Sequence, residues 1–398
     1  MHGTLTYKPF GAFRLVLAAC VVLQHIHPVL PRAIVEQEQQ LELGTLGVYM
    51  FFMASGYIIT EAITRVYSDR PWAFIANRAI RILPPVLLIV TLTAIMWAVF
   101  IAQGDHISVR AITLIGASVA RLFPVIASRI TSEYEILGVM WALRVEFTFY
   151  LLCFLVLFAV PYLTTVQRQS VALIGGTFLL GLLFAYDCTR AAPSMLRFIP
   201  YFLCGTCLYL ASSLQVRPLA RIAGVIAAVA FVGILIEQGL KPPIHETAGF
   251  TRDRLAQTVI MVLLIALFTA LSFIRIGGRL ARFDRLLGDL SYPLYVVHDP
   301  IIIFVALYLA PSVPTAITTA VTALIGAWLL YTVLERPLIA LRTRIRRAEI
   351  SFAEGTEAPS VSAMESSDAG LHLQGMPSTS LKTVGVRASR YTGVSSSI

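Results

Sequence analysis

The sequence predicts an all-α, polytopic membrane helical bundle with about ten transmembrane helices and cytoplasmic N- and C-termini. Three observations carry that expectation. Hydrophobic residues fill 57% of the 398 positions and charged residues only 13%, against about 25% charged in a soluble protein. Mean hydropathy is +0.79. The apolar residues fall in runs of the length a bilayer requires, about 20 residues each. A net charge of +9 would point to nucleic acid in a soluble domain. Here the basic residues are spread through connections between apolar spans, so they set topology and no nucleic-acid partner is expected.

Taken in order, the candidate spans are roughly 10–30, 44–64, 82–102, 138–160, 170–187, 195–213, 219–237, 255–274, 291–310 and 314–334. Most connections are short. The stretch 103–137 is longer and partly apolar, as a surface or re-entrant helix would be. With the N-terminus inside, the inner segments carry 17 Lys and Arg and the outer segments 9, which places both termini in the cytoplasm. From about Ser351 onward, Ser, Gly, Thr and Glu dominate and no apolar period persists. The chain therefore divides into a membrane domain over 1–350 and a disordered cytoplasmic tail over 351–398. No internal repeat stands out.

The five cysteines form no disulfide framework. Cys20, Cys153, Cys204 and Cys207 lie in spans and Cys188 at a span end. Cys204-x-x-Cys207 has metal or redox spacing, but no second pair accompanies it. Small packing residues on a buried helix explain it better, and no metal is expected. Leu17-Ala18-Ala19-Cys20 resembles a lipoprotein cleavage site. However, Arg14 interrupts the apolar run before it and apolar residues continue after it, so the segment reads as a retained span.

Ionisable residues inside spans carry the functional signal, because charge at membrane depth is costly and tends to mark a substrate or proton path. The first span holds Arg14 and His25. Eleven helical residues make about three turns, so both side chains share one face, roughly 16 Å apart along the axis. His27 lies nearer the outer end, where an interfacial role fits it. In the second span, Gly47 and Gly56 suit close helix packing, and Ser55 offers a hydroxyl to a cavity. Arg78 and Arg81, three apart on one face at the start of the third span, fit either a positive-inside anchor or a phosphate site. Glu146 in the fourth span needs a cation or a proton. Arg144, two residues away, points off its face, so a partner on another helix is expected, in a structural ion pair or a catalytic role. His298, seven residues past Ser291 and nearly on its face, is either a hydrogen-bonded interior histidine or a functional one. Glu335 closes the last span as a structural acid on the cytoplasmic side.

Six motifs follow one another in order: Arg14-x10-His25; Gly47-x3-Phe51-Phe52-x2-Ser55-Gly56; Arg78-x2-Arg81-Ile82-x-Pro84; Trp141-x-Leu143-x2-Glu146-x2-Phe149-Tyr150; Ser291-Tyr292-x2-Tyr295-x2-His298; and Glu335-x-Pro337. Each alone is weak. Together, over about residues 8–340, they resemble the acyltransferase-3 family of integral membrane O-acyltransferases. Arg144 and Asp299 depart from that family's usual pattern, where a small or apolar residue and an aromatic are more common.

The resemblance implies transfer of an acyl group, usually acetyl, from cytoplasmic acyl-CoA as donor substrate. The acceptor would be a hydroxyl of a cell-envelope or secreted carbohydrate or glycoside. The expected location is the bacterial inner membrane. His25 is the expected general base, since a neutral imidazole can take the proton of a hydroxyl as it attacks a thioester. Glu146 and His298 are the other expected catalytic residues, with Glu146 orienting His25 or the acceptor. Arg14, Arg78 and Arg81 are expected to meet the phosphates of CoA, and Phe52, Ser55 and Tyr295 to line the substrate site. The three arginines should converge on one cytoplasm-facing cavity, lined also by Glu146, with His25 deeper. Two other classes are compatible with intramembrane His, Arg and Glu. One is a proton-coupled transporter or flippase for a glycan or small molecule, which would often show an internal repeat. The other is a non-catalytic membrane scaffold.

Overall fold

The computed structural model describes residues 7–100, 137–159, 198–213, 217–240 and 253–355, with scattered positions between 115 and 182 besides. Along these residues the helices are α1 (Phe10–His25), α2 (Arg32–Leu41), α3 (Leu43–Arg65), α4 (Pro71–Phe100), α5 (Met140–Ala159), α6 (Ile199–Ser213), α7 (Arg217–Leu240), α8 (Arg254–Phe273), α9 (Gly278–Tyr308), α10 (Val313–Leu330) and α11 (Arg336–Gly355). A 3-10 turn at His27–Val29 extends α1, and a π turn at Tyr331–Glu335 joins α10 to α11. Among the described residues the only bridge of strand type pairs Tyr7 with Ile276.

An all-helical solution follows from the solvent. In hydrocarbon every backbone N–H and C=O must be satisfied within the protein, and a helix does so within one segment. Six described helical segments are long and apolar enough to cross a membrane, and α1, α6 and α7 contribute shorter apolar helices. The expected spans 44–64, 138–160, 195–213, 219–237 and 255–274 coincide within about four residues with α3, α5, α6, α7 and α8. The expected span at 170–187 and the long segment 103–137 lie outside the described residues, save for isolated positions. Two helices begin well before their apolar windows: α4 at Pro71 and α9 at Gly278. Their first turns carry Arg78, Arg81, Arg279, Arg282, Asp284, Arg285 and Asp289, which lower a hydropathy average without interrupting a helix. The acidic connection that follows α1 is itself helical (α2). It ends at Glu42, whose φ of 48° is left-handed and closes the helix through its N–H to the Glu38 carbonyl. Helix α11 runs five residues beyond the expected domain boundary at 350, and 356–398 lie outside the described residues.

Helix α1 packs between α3 and α9, α3 packs also on α6, α6 on α7, and α9 on α10. Two crossings are set by glycine. A Cβ at Gly11 would fall 1.7 Å from the Asp284 carbonyl oxygen, so α1 and α9 touch backbone to backbone there. A Cβ at Gly56 would fall 2.0 Å from the Phe202 carbonyl oxygen, and one at Gly205 would fall 1.9 Å from that of Met53. The α3–α6 crossing is therefore reciprocal. Helix association in lipid depends on such close contact, since apolar burial gives little net drive there. Stacked rings fill the space beside it: Phe149 on Phe202 at 4.3 Å and Phe52 on Phe202 at 4.9 Å. Exposed apolar side chains such as Leu263 on α8 and Ile317, Leu324 and Trp328 on α10 form the outward faces.

Buried helix ends are capped by neighbours. The Asp284 carboxylate accepts from Gly11 N–H at 2.7 Å and Ala12 N–H at 2.8 Å. It satisfies two of the donors that open α1 and places negative charge at the positive end of that helix. Burial, reinforced by Asp284, pushes the phenol of Tyr7 up to about 12, so this ring next to the cap stays neutral. At the far end of α1, Gln24 Oε1 accepts from Thr45 N–H at 2.6 Å and caps α3.

Candidate active site

Helices α1, α3, α4, α5 and α9 surround a cleft with about 540 Å³ of unfilled space, counted out to its open side. Each wall follows from helical spacing. Helix α1 contributes Arg14, α4 contributes Arg81 and α5 contributes Glu146; Phe51, Phe52 and Ser55 come from α3, and Ser291, Tyr292 and Tyr295 from α9. Four of these, Phe52, Ser55, Ser291 and Tyr295, sit three or four residues apart in pairs, the neighbour spacing of a helix face. The cleft is thus apolar and aromatic on one side, with two cations and a carboxylate on the other.

Hydrogen bonds hold this lining in place. Tyr292 donates to the Ile82 carbonyl at 3.0 Å, tying α9 to α4. Tyr295 donates to the Val139 carbonyl at 3.1 Å, tying α9 to the start of α5. Ser291 donates back to the Gly288 carbonyl at 2.7 Å. Glu146 Oε1 accepts from the Tyr150 hydroxyl one turn on, and from Ser55 Oγ at a long 3.5 Å. No ion pair within 4.0 Å joins Glu146 to Arg14 or Arg81 among the described residues. Its hydrogen-bond partners across and along the helices are hydroxyls, while the charges of Glu146 and Asp289 act on both guanidinium groups. Tyr150 was legible as the residue four on from Glu146, the usual spacing for a same-face partner.

Arg78 lies elsewhere. It is 5% exposed, and its guanidinium rests 5.7 Å from the Phe74 ring centre and 5.6 Å from that of Tyr150. It is absent from the cleft wall, and its Nε has no hydrogen-bond partner among the described residues. Three helical residues turn about 300°, so Arg78 and Arg81 point about 60° apart. That offset puts one in the cleft and the other behind Tyr150.

His25 and His298 form a second polar centre, and neither lines the cleft. His298 is fully buried and His25 half-buried. His298 Nε2 and His25 Nδ1 are 3.1 Å apart, and the rings tilt at 32° with centres 5.2 Å apart. Tyr295 connects the two regions, because it lines the cleft and its ring centre stands 6.0 Å from that of His298. Phe51 meets the same tyrosine edge-on at 6.3 Å. Asp299, next to His298, accepts from Gly138 N–H at 2.8 Å. His27 pairs with the buried Glu38 of α2, next to the histidine centre but outside the cleft wall.

Arg14 and His25 both face α9. A Cβ at Gly288 would lie 3.9 Å from an Arg14 guanidinium nitrogen, and His25 contacts His298 on the same helix. A cation, a carboxylate and an imidazole pair within one helical seam can bind an anionic donor and take a proton. Among the described residues no three His, Cys, Asp or Glu side chains gather as a metal would need.

In comparison with known proteins, the acyltransferase-3 family model, described as an acyltransferase domain, matches residues 10–332. No curated protein and no solved structure matches the chain.

Proposed function

This chain belongs to the acyltransferase-3 family, and from that premise we propose that it moves an acyl group, acetyl in the simplest case, from cytoplasmic acyl-CoA to a hydroxyl of a cell-envelope or secreted carbohydrate. The observation that supports this reading best is the placement of a cation and a base on one face of α1, with a second cation, Arg81, on the wall of the same cleft as the first. Arg14 and Arg81 stand on the cleft wall, while His25 shares the α1 face of Arg14 about three turns further along. Guanidinium forks suit phosphate oxygens, so the diphosphate of CoA would lie at the arginines. Its extended pantetheine arm, comparable in length to the rise between Arg14 and His25, would run past Phe51 and Tyr295 towards the histidines. Placing the arginine end at the cytoplasm agrees with the distribution of Lys and Arg along the chain.

In this reading the acceptor oxygen attacks the thioester carbonyl carbon while His25 takes the hydroxyl proton. The C–S bond then breaks, and the thiolate of CoA recovers that proton from the imidazolium. A positioned base of this kind contributes about 10²–10⁴-fold in rate. Glu146, held by Tyr150 and Ser55, accepts a hydrogen bond from the acceptor or the pantetheine arm at the cleft wall. Phe52, Ser55 and Tyr295 shape the apolar side.

The test is His25→Ala in the purified full-length protein, supplied with labelled acetyl-CoA and a carbohydrate fraction from the host envelope. Label transfer should fall by at least about 10²-fold, with the protein still folded and its stability lowered only by the one hydrogen bond lost at His298, about 1–3 kcal/mol. Transfer at the wild-type rate by the variant removes His25 as the base.

A further inference from the structure

His298 does more than fill space beside His25, and the two ring contacts decide which nitrogen of His25 carries its proton. His298 Nδ1 lies 3.1 Å from the Leu294 carbonyl oxygen, one turn back on α9. A carbonyl only accepts, so this nitrogen must be N–H. A neutral imidazole has one N–H and one lone pair, which makes His298 Nε2 an acceptor. Its partner at 3.1 Å is His25 Nδ1, so that atom must be the donor. The proton-accepting lone pair of His25 is then on Nε2, the other side of the ring. Asp299 does not compete for it: the Asp299 carboxylate is held by Gly138 N–H, and no ion pair within 4.0 Å joins it to His25 among the described residues.

We infer that the Leu294 carbonyl and His298 fix His25 in its Nδ1–H tautomer and leave Nε2 as the atom that receives the acceptor's proton. This makes His298 a positioning residue, and it rests on the reading of His25 as the base. Burial strengthens the device. His298 is 0% exposed, so water does not offer its Nε2 an alternative partner, and an unmade hydrogen bond there is costly. The backbone carbonyl that starts the chain of bonds cannot rotate away, and the Val21 carbonyl, one turn back on α1, is a second acceptor beside His25.

The experiment uses full-length protein labelled with 15N-histidine in lipid nanodiscs, with the two rings assigned by signal loss in His25→Gln and His298→Gln. The wild type should show His25 as Nδ1–H with an unprotonated Nε2. In His298→Leu the His25 signals should move to the Nε2–H pattern. The kcat with labelled acetyl-CoA should drop about tenfold, the value of one hydrogen bond, while the KM for acetyl-CoA barely changes. In His298→Gln the amide oxygen can reach the place of Nε2, so the Nδ1–H signal and most of kcat should be retained. Finding His25 as Nε2–H in the wild type, or unchanged tautomer and rate in His298→Leu, overturns the inference. Should His25 prove to be Nδ1–H as assigned, and His25→Ala still transfer normally, the tautomer assignment stands and the base assignment falls.

Discussion

Replacing Gly11 with alanine would place a Cβ 1.7 Å from the Asp284 carbonyl oxygen, 2.6 Å from its carbon and 2.7 Å from its carboxylate Oδ2. Ordinary contact begins near 3.4 Å, so α1 and α9 must part by about 1.7 Å at this point. The obstacle is backbone, which cannot swing aside as a side chain does. Overpacking of this kind costs about 1–3 kcal/mol and occasionally more. Parting the helices also stretches the bonds from Gly11 and Ala12 N–H to Asp284, and hydrogen bonds to a charged group are worth about 1.5–3 kcal/mol each. Against this stands a gain of up to ~1 kcal/mol for alanine over glycine in a helix. Gly11→Ala should therefore lower the melting temperature clearly, and should also raise the KM for acyl-CoA, because Arg14 is one turn away on the parted seam. Gly224→Ala is the control: its Cβ meets nothing closer than Ala211 Cβ at 3.8 Å, so it should melt at or above the wild type. Gly288→Ala, with Gly11 Cα at 3.0 Å, should fall between. Scanning fluorescence of the full-length variants in detergent gives the order. A Gly11→Ala protein as stable as Gly224→Ala would mean that the α1–α9 contact is looser than described, and the account of the seam would fail with it.

Arg81→Ala should raise the KM for acetyl-CoA by about 10- to 100-fold, the range of one charge-assisted contact to phosphate. Arg78→Ala should instead lower thermal stability by about 0.5–2 kcal/mol through its lost contacts with Phe74 and Tyr150, and saturation kinetics that reverse this order would show the donor on the other side of α4. Glu146→Gln keeps an oxygen for Tyr150 and Ser55, so it should fold normally yet lose at least about tenfold in kcat if the carboxylate charge acts on substrate; full activity would leave it a structural acceptor. Truncation after Gly355 should leave turnover of labelled acetyl-CoA nearly unchanged, since residues 356–398 carry too little apolar content to pack a core; a large loss at normal protein level would give that segment a part in the reaction.

The apolar spans were legible because the bilayer imposes a length and a composition on every crossing, and α3, α5 and α8 end within about two residues of their windows. The beginnings of α4 and α9 were not. A hydropathy window measures what lipid tolerates, and it stops where Arg78 or Asp284 enters, although the helix continues. Helical spacing read the seam well: eleven residues put Arg14 and His25 on one face, and both face α9. The same reasoning was too coarse for Arg78 and Arg81, where a 60° offset sends one cation to the cleft and buries the other. The choice of partners across helices was beyond the sequence. That His25 meets His298, and Glu146 meets Ser55, depends on how far α9 and α5 slide against their neighbours, which no local pattern specifies; only Tyr150, four residues on from Glu146, follows from spacing within one helix.

The spacing between the proposed donor site and the proposed base is set by the construction of the α1–α9 seam. At one end Asp284 is bonded to the first N–H groups of α1, with Gly11 packed against the α9 backbone. At the other end His25 is bonded to His298. Arg14 and His25 lie between these clamps on a single helix, so their separation is an intrahelical distance fixed by the rise per residue. Loops and side-chain rotamers add little to it. A site assembled from separate loops would need each to be ordered before the reacting groups could align. Here one helix carries both groups, and one neighbouring helix fixes its height and the ring orientation of its base. Beside them lie Phe51 and Tyr295. Their rings stand where the cleft meets the histidine pair, and Tyr295 is anchored by its hydroxyl to α5. Aromatic side chains on α3 and α9 thus stand between the cleft lining and the histidine pair, while Arg14 and His25 are held at constant spacing by the helix itself.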